Sequence, residues 1–260
     1  MSVEPAADAP APAGSEAPER VLPLVVRIER SHPPRRTDAL EAAAQAVLAM
    51  LTDARSVPGG DWYAAIRAWE DGRIRKVVRR ARGVGWQRAA VLPGLTVTRR
   101  TAEVRVFPPV PLDGWPPDLA RLQVSGTDLT DQPDPVPLDP VPPDPATPDP
   151  APPGPVVGGP VVGGPVVAAG AVLWLTPHQE LTAGKAMAQV GHAAQLGWHA
   201  LPVDTRDRWR EAGFPVAVRV ADADRWTALL AAGLPVVEDA GFTEVAPGTC
   251  TAIADLRPLG

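Results

Sequence analysis

Apolar and polar positions along this chain predict the same series of elements twice. A strand-like run at 24–28 precedes a helical stretch that begins at Thr37, and a run at 172–175 precedes another that begins at Thr182. Periodicity and capping residues then indicate a further helix, a strand, a short helix and two strands after each of them. Both halves therefore carry the predicted order strand, helix, helix, strand, helix, strand, strand.

Two tryptophan pairs mark corresponding positions in the two halves. Trp69 and Trp86 are 17 residues apart, and so are Trp209 and Trp226. We interpret the repeat as a tandem duplication, with chance spacing in two unrelated units as the alternative. The predicted fold class is α/β, with two small three-layer domains that are each a four-stranded mixed sheet with flanking helices.

The composition divides the 260 residues into folded and extended parts, because the 34 prolines interrupt regular elements. We predict a disordered tail at 1–20, a domain at 21–129, a disordered Pro/Gly-rich linker at 130–168 and a second domain at 169–260. The uncharged segment 151–176 is long enough to span a bilayer. Its prolines and paired glycines would break a helix repeatedly, so we expect no membrane partner.

The net charge of −5 conceals an uneven distribution. Residues 22–129 contain 17 Lys/Arg against 11 Asp/Glu, whereas residues 170–260 contain 7 against 10. A nucleic acid would therefore be attracted to the first half. The single cysteine, Cys250, and the lack of a signal-peptide pattern predict a cytoplasmic protein.

One predicted helix of the second half carries a polar stripe. Thr182 can cap its start, and Gly184 leaves room for a ligand near the first turn. Lys185, Gln189 and His192 follow at positions i, i+4 and i+7, so their side chains lie on one face of the helix.

A tight turn, Asp239-Ala240-Gly241, follows a predicted strand at 234–238. Turns of this kind usually just reverse the chain, but they also suit a working carboxylate.

Together, the helix and the turn resemble the type 2 peptidyl-tRNA hydrolase family, over roughly residues 170–258. The family pattern is Gly-Lys-x-x-Ala-Gln-x-x-His-Ala, followed by Asp-Ala-Gly-x-Thr-x-x-Ala-Pro-Gly. The chain matches the first part at Gly184, Lys185, Ala188, Gln189, His192 and Ala193. It matches the second part at Asp239, Ala240, Gly241, Thr243, Ala246, Pro247 and Gly248.

The resemblance implies hydrolysis of the ester between a peptide and tRNA, with tRNA as the partner. It implies Lys185 and Asp239 as the central catalytic pair, with Thr243 ordering the water or the substrate. The positions expected to bind substrate are Gly184, Gln189, His192 and Gly241.

The residues themselves allow several roles. A lysine of ordinary pKa, about 10.4, is a cation at neutral pH and would clamp an oxyanion or a phosphate beside a helix N-terminus. Asp239 would hold Lys185 and accept a proton from water, directly or through Thr243. As alternatives, Lys185 is a solvated first-turn lysine and His192 is a packing residue.

The chain departs from the family where tRNA would lie. Thr176, His178 and Ala183 stand at positions that are basic or acidic in the family, and Phe242 replaces its usual basic residue. Fewer cations mean fewer phosphate contacts. Two alternatives therefore stay open: a non-catalytic RNA- or protein-binding module, and hydrolysis of a different ester.

A basic run in the first half offers phosphate contacts of its own. Because successive strand residues point to opposite faces, one face of this predicted strand should be strongly basic. The alternative is a solvated edge strand that its charges protect from aggregation. The candidate residues for tRNA backbone contacts are Arg73, Arg75, Lys76, Arg79, Arg80 and Arg82.

The first half lacks the polar residues of the second. Aligning the two long helices places Glu41 opposite Lys185 and Leu48 opposite His192, and Arg99-Arg100 replaces the aspartate turn. We interpret the first half as a degenerate copy. Since the family tends to form homodimers, we expect either an intrachain pseudo-dimer of the two domains or a homodimer of the chain.

Other chemistries lack their motifs in this sequence. It contains no Gly-x-Ser-x-Gly elbow, no phosphate-binding loop and no metal-ligand spacing. We therefore expect no metal and no other cofactor.

Overall fold

The computed structural model describes residues 18–131, 170–241 and 244–259. The first half contains β1 (Arg20–Arg27), α1 (Arg36–Thr52), α2 (Tyr63–Glu70), β2 (Arg75–Ala81), α3 (Gly83–Val91), β3 (Leu95–Arg99), β4 (Ala102–Val106), β5 (Val110–Pro111) and α4 (Pro117–Ala120). The second half contains β6 (Ala171–Leu175), α5 (Ala183–Ala200), α6 (Val203–Glu211), β7 (Val216–Val220), α7 (Ala223–Ala231), β8 (Val236–Asp239), β9 (Thr249–Asp255) and a 3-10 turn, Arg257–Leu259.

The two sheets have the same strand order. It is β2-β1-β4-β3 in the first half, where the short β5 also pairs with β1, and β7-β6-β9-β8 in the second. In each sheet the first pair is parallel, because a helical crossover joins its strands, and the other two pairs are antiparallel. The predicted fold class, two four-stranded mixed sheets with flanking helices, is confirmed.

The helices form layers on both faces of the sheets. The long helices α1 and α5 pack against each other, α1 also against β3 and β4, and α5 also against β6, β8 and β9. One continuous core therefore contains residues of both halves. Separate clusters cover the opposite faces, around Trp86 and Ala89 of α3 on one sheet and around Trp226 and Leu229 of α7 on the other.

Each half fixes the chain after its second helix by the same hydrogen bond. Trp69 Nε1 donates to the carbonyl oxygen of Arg75 at 2.9 Å, and Trp209 Nε1 donates to that of Pro215 at 3.0 Å. Both tryptophans are almost fully buried. The first tryptophan of each pair in the sequence thus makes the same hydrogen bond to the backbone in both halves.

Small residues bring α1 and α5 close together. Ala39, Ala43 and Ala46 of α1 are fully buried, as are Ala193 and Ala194 of α5. Side chains of this size let two helix backbones approach, so the helices pack tightly along their length.

Gly191 of α5 lies directly against Val47 of α1 and Lys76 of β2. A Cβ added there would lie 3.0 Å from Val47 Cγ2 and 3.2 Å from Lys76 Cδ. We expect Gly191→Ala to lower the free energy of unfolding by about 1–3 kcal/mol, because overpacking forces neighbours apart. Urea denaturation of the purified protein measures this.

The matched control is Gly85→Ala, in α3. A Cβ there would meet only Leu122 Cδ2 at an ordinary 3.6 Å. Alanine is the better helix former by about 1 kcal/mol, so this variant should be as stable as the parent or more stable. Equal stabilities of the two variants would contradict the close packing of α1 and α5.

The structure adjusts the predicted boundaries of the halves. β1 begins at Arg20, and the first half continues past 129, since Thr130 and Asp131 hydrogen-bond the start of α1. The predicted tail up to residue 17 and the linker from residue 132 lie outside the described residues. Within the described ranges, no helix is long and apolar enough to cross a membrane.

Candidate functional site

A cavity of about 730 Å³ lies between the two halves. Its walls come from β2 of the first half and from α5 and β8 of the second. Most of the lining is apolar, with Ile74, Val124, Leu196 and Val236 among the contributors. Charged and polar side chains lie along α5, at the end of β8 and around the start of β2, where Arg73, Arg75 and Lys76 line the cavity.

The cap of α5 sets the position of Lys185. The Thr182 hydroxyl oxygen accepts from the backbone N–H of Lys185 at 3.3 Å, as an N-cap does. The same hydroxyl donates to a carboxylate oxygen of Glu244 at 2.8 Å, and the backbone N–H of Thr182 donates to the other oxygen at 3.1 Å. This anchored cap places Lys185 in the first turn, facing the cavity.

Lys185 and Asp239 form a buried ion pair at the cavity wall. The distance from Lys185 Nζ to Asp239 Oδ2 is 2.5 Å, and the two side chains are only 10% and 7% exposed. The structure thus brings together the two residues that the sequence predicts as the central pair. In such a dry position the attraction of the two charges is much stronger than at a surface.

The carboxylate of Asp239 accepts three hydrogen bonds. Its Oδ2 accepts hydrogen bonds from Lys185 Nζ and, at 2.6 Å, from Gln189 Nε2. Its Oδ1 accepts one from the backbone N–H of Gly241 at 2.8 Å. An ionised carboxylate offers about four lone-pair directions. The described residues therefore leave one direction on Oδ1 for water or a ligand.

Gln189 connects the ion pair to the sheet. Its Oε1 accepts from the hydroxyl of Thr251 on β9 at 2.6 Å, while its Nε2 donates to Asp239. Gln189 is 3% exposed, so its amide orients the carboxylate from within the core. Gln189 also lines the cavity, so its expected role as a substrate contact stays a prediction beside its contact with Asp239.

The two predicted site glycines have different surroundings. The backbone N–H of Gly184 donates to the Thr127 hydroxyl at 2.9 Å, so the space beside this glycine holds a residue of the first half. Gly241 has φ of +78°, and a Cβ there would lie 2.4 Å from Pro247 Cγ. Gly241 therefore shapes the turn that holds Asp239.

His192 lines the cavity about two helical turns beyond Lys185 on α5. Its Nδ1 lies 3.1 Å from Lys76 Nζ, which in turn donates to Gln195 Oε1 at 2.6 Å. Burial lowers the pKa of His192 well below its ordinary value, and the charges of Lys76 and Lys185 act in the same direction. Burial also lowers the pKa of Lys76 far below that of an exposed lysine.

Lys76 is buried, which corrects its predicted place among the six cations that contact the tRNA backbone. Its side chain was expected to contact phosphate, but Lys76 is only 8% exposed and its amine is bonded to α5. The reason is that its face of β2 packs against the second half. Arg73 is exposed at the cavity rim, and Arg75 lines the cavity and pairs with Glu19 at 2.8 Å.

The remaining basic residues lie farther from the cavity. Arg79 donates to the carbonyl oxygens of Ala120 and Leu122, and Arg80 donates to that of Ser125, so both hold the segment after α4. Arg82 is exposed at the start of α3. Of the six predicted phosphate contacts, Arg73 and Arg82 are thus the most exposed.

The first half carries a charge-reversed counterpart of the ion pair. Glu41 occupies the position of Lys185 on α1, and its Oε2 lies 2.7 Å from Nε of Arg99, the last residue of β3. Asp239 is likewise the last residue of β8. The architecture of a helix-to-strand ion pair is common to both halves, whereas the cation on the helix is found only in the second.

Sequence reasoning missed three residues of the site. Thr251 and Thr127 were not singled out, and Lys76 was given a surface role. Only the alternation of β9 could have indicated that Thr251 faces inward. Thr243, the third predicted catalytic residue, lies outside the described residues.

Comparison with known proteins adds no further assignment. No protein-family model matches the sequence, and no match was found among curated proteins. Chemically, the site combines a buried cation held by a carboxylate, a free carboxylate lone pair and an imidazole at the wall of an apolar cavity. Such a site can bind an anion or polarise a carbonyl oxygen.

Proposed function

We propose that the cavity hydrolyses the ester bond between a peptide, or an N-blocked amino acid, and tRNA. The observation that carries this proposal is the buried pair of Lys185 and Asp239, which lies at a helix N-terminus beside Gln189. The sequence pattern shared with type 2 peptidyl-tRNA hydrolases supports it. So does the apolar lining, which suits the acyl part of such a substrate.

In the proposed reaction, Lys185 stabilises the negative charge that develops on the carbonyl oxygen. The N-terminus of α5 adds its partial positive charge at the same place. Donors that are held in position before the reaction contribute about 3–4 kcal/mol to lowering the barrier. Asp239 holds the lysine in position through its own fixed contacts, so little reorganisation is needed.

Water supplies the nucleophile in this scheme. The remaining lone pair of Asp239 Oδ1 accepts a proton as the water oxygen bonds to the carbonyl carbon. The bond from that carbon to the ribose oxygen then breaks, and the ribose oxygen takes up the proton that Asp239 accepted from the water, which restores the carboxylate. The products are a free carboxylic acid and a tRNA with its terminal hydroxyl restored.

The tRNA is proposed to approach along β2. Arg73 lies at the cavity rim and Arg82 is exposed beyond the end of the strand. Two exposed cations make a weak phosphate site, since each phosphate contact contributes to affinity. We therefore expect a high KM and a shallow salt dependence, because the slope scales with the number of phosphate contacts.

A comparison of two substrates tests the substrate class. N-acetyl-aminoacyl-tRNA and the same blocked amino acid on a short CCA oligonucleotide differ only in the tRNA body. We expect release from both, with a higher kcat/KM for the tRNA at low salt that falls as salt is added. Identical values at every salt concentration would contradict the role of tRNA and favour hydrolysis of a different ester.

A non-catalytic binding module is the second candidate. The observation that favours it is the occupancy of Asp239, whose three accepted hydrogen bonds leave little capacity to take a proton from water. In that case the protein would bind tRNA without turnover. Filter binding of intact acylated tRNA, recovered with its ester unbroken, would identify this function.

A further inference from the structure

Lys76 belongs to the first half, and its charged group contacts His192 in the polar stripe of α5. Its Nζ lies 2.6 Å from Gln195 Oε1, 3.1 Å from His192 Nδ1 and 3.5 Å from the Ile74 carbonyl oxygen. The Trp69 ring lies 4.8 Å away. The amine is therefore fixed from several sides, although it belongs to the half that lacks the catalytic pair.

The equivalent positions elsewhere in the molecule are apolar. Val216 corresponds to Lys76, because each follows by one residue the carbonyl that a buried tryptophan binds. Leu48 corresponds to His192 in the alignment of the two helices. Val216 and Leu48 are both buried in the core. This fold can thus be packed with two apolar residues here, and a polar pair occurs only beside the proposed active site.

We propose that Lys76 is a positioning residue of the second half's site, holding His192 by Nδ1 so that Nε2–H donates a hydrogen bond to the substrate. When the amine is charged, it has three hydrogens and no lone pair, so it donates to Gln195 Oε1, to the Ile74 carbonyl oxygen and to Nδ1, and Nδ1 accepts. The proton of the neutral imidazole is then on Nε2. That nitrogen has no hydrogen-bond partner within the described residues and belongs to a side chain that lines the cavity.

The spacing along α5 identifies what Nε2 binds. Lys185 and His192 are seven residues apart, which is about 10 Å along a helix. An extended peptide covers that distance in about three residues. Resting on the proposed ester hydrolysis, this makes His192 a donor to a backbone carbonyl of the peptide, well away from the ester. The preferred substrate is then a peptidyl-tRNA rather than a blocked aminoacyl-tRNA.

Several charged groups surround this pair. Two cations lie near the imidazole, Lys185 on α5 and Lys76 on β2. The carboxylate of Asp239 on β8 neutralises Lys185. Glu70 on α2 accepts a hydrogen bond from Gln195, which in turn contacts Lys76. Because the imidazole and the amine are too close for both to be charged, Lys76→Met should raise the pKa of His192.

Nitrogen-15 NMR of histidine in the intact protein tests the pair without any substrate. We expect the Nε2–H tautomer for His192 at neutral pH and a titration midpoint well below that of an exposed histidine. In Lys76→Met the midpoint should rise, whereas in Arg88→Met, which removes an exposed cation on α3, it should not. An Nδ1–H tautomer, or a midpoint that Lys76→Met leaves unchanged, would overturn the proposal.

Kinetics then tests the role in binding. For an N-acetyl-tripeptidyl-tRNA, Lys76→Met should raise KM roughly three- to tenfold, the effect of one lost hydrogen bond, and leave kcat nearly unchanged. For an N-acetyl-aminoacyl-tRNA, which does not reach His192, KM should not change. Equal effects on both substrates, or a fall in kcat alone, would refute the proposed contact. Absence of any turnover by the parent protein would instead refute the hydrolase proposal and leave the NMR result standing.

A double variant separates positioning from folding. Lys76→Val with His192→Leu copies the apolar pair at the equivalent positions, Val216 and Leu48, and we expect it to unfold at a denaturant concentration no lower than the parent. It should show the same KM change as Lys76→Met. A folded double variant with the parent's KM for the tripeptidyl substrate would exclude the positioning role.

Discussion

Replacing Lys185 by alanine is expected to lower kcat about 10²- to 10³-fold on blocked aminoacyl-tRNA, the effect of removing one donor to an oxyanion. Lys185 is 10% exposed and is held by Asp239 at 2.5 Å. A solvent water would replace its charge poorly, because water must reorient as the oxyanion forms. Steady-state release of the labelled blocked amino acid measures the change.

The control for this substitution is Arg88→Ala, which removes one exposed cation from α3. Its kcat should match that of the parent, because α3 covers the other face of the first sheet. Circular dichroism of both variants confirms that they are folded. A Lys185→Ala protein that is folded and retains more than a tenth of the parent's kcat would contradict the proposed role of the lysine.

Replacing Asp239 by alanine is expected to destabilise the protein by about 3 kcal/mol, because the substitution breaks a buried ion pair. The substitution also removes the acceptor of Gln189 Nε2 and of the Gly241 N–H. For a domain of this size the loss corresponds to a fall in Tm of roughly 6–12 °C. Differential scanning calorimetry measures it.

The matched control for this prediction is Asp207→Ala on α6. Asp207 also pairs with a cation, Arg210, at 2.9 Å, but both side chains are nearly half exposed. A pair of that kind contributes about 0–1 kcal/mol. If the Asp239 and Asp207 variants lose equal stability, the buried ion pair does not hold the site together.

The fold could be predicted because two signals in the sequence agreed, namely the spacing of the tryptophans and the order of the predicted elements in the two halves. The tryptophan spacing aligned the halves, and in each half a buried tryptophan fixes the carbonyl of the same relative position, Arg75 or Pro215. The polar stripe that contains Lys185 and the turn at Asp239 are local patterns, so periodicity and turn residues locate each of them. That the two residues form a pair is implied by the resemblance to the type 2 peptidyl-tRNA hydrolase family, because a local pattern does not say which distant residues meet.

The contribution of the first half could not be predicted in this way. Strand alternation divides the residues of β2 into two faces, but it does not say which face another domain covers. The sequence therefore predicts Lys76 as a surface cation, although its amine donates a hydrogen bond to Gln195 of α5. The role of Thr127 could not be predicted either, because its hydrogen bond with the Gly184 N–H joins residues 57 positions apart.

The two halves place the positive charge of their ion pair on different elements, the helix in the second half and the strand in the first. One fold is used twice, with Lys185 and Asp239 in one copy and Glu41 and Arg99 in the other. A cation on the helix supports stabilisation of an oxyanion, whereas a carboxylate in its place would repel one. The proposed activity is accordingly confined to the second half, while the first supplies a wall of its cavity.

Single-turnover hydrolysis with enzyme in large excess over N-acetyl-aminoacyl-tRNA tests the central claim most directly, because weak tRNA binding then limits the rate least. The account predicts first-order release of the blocked amino acid well above the spontaneous rate, and its loss in Lys185→Ala. Release by the folded parent protein at the spontaneous rate, even at the highest enzyme concentration, would contradict it.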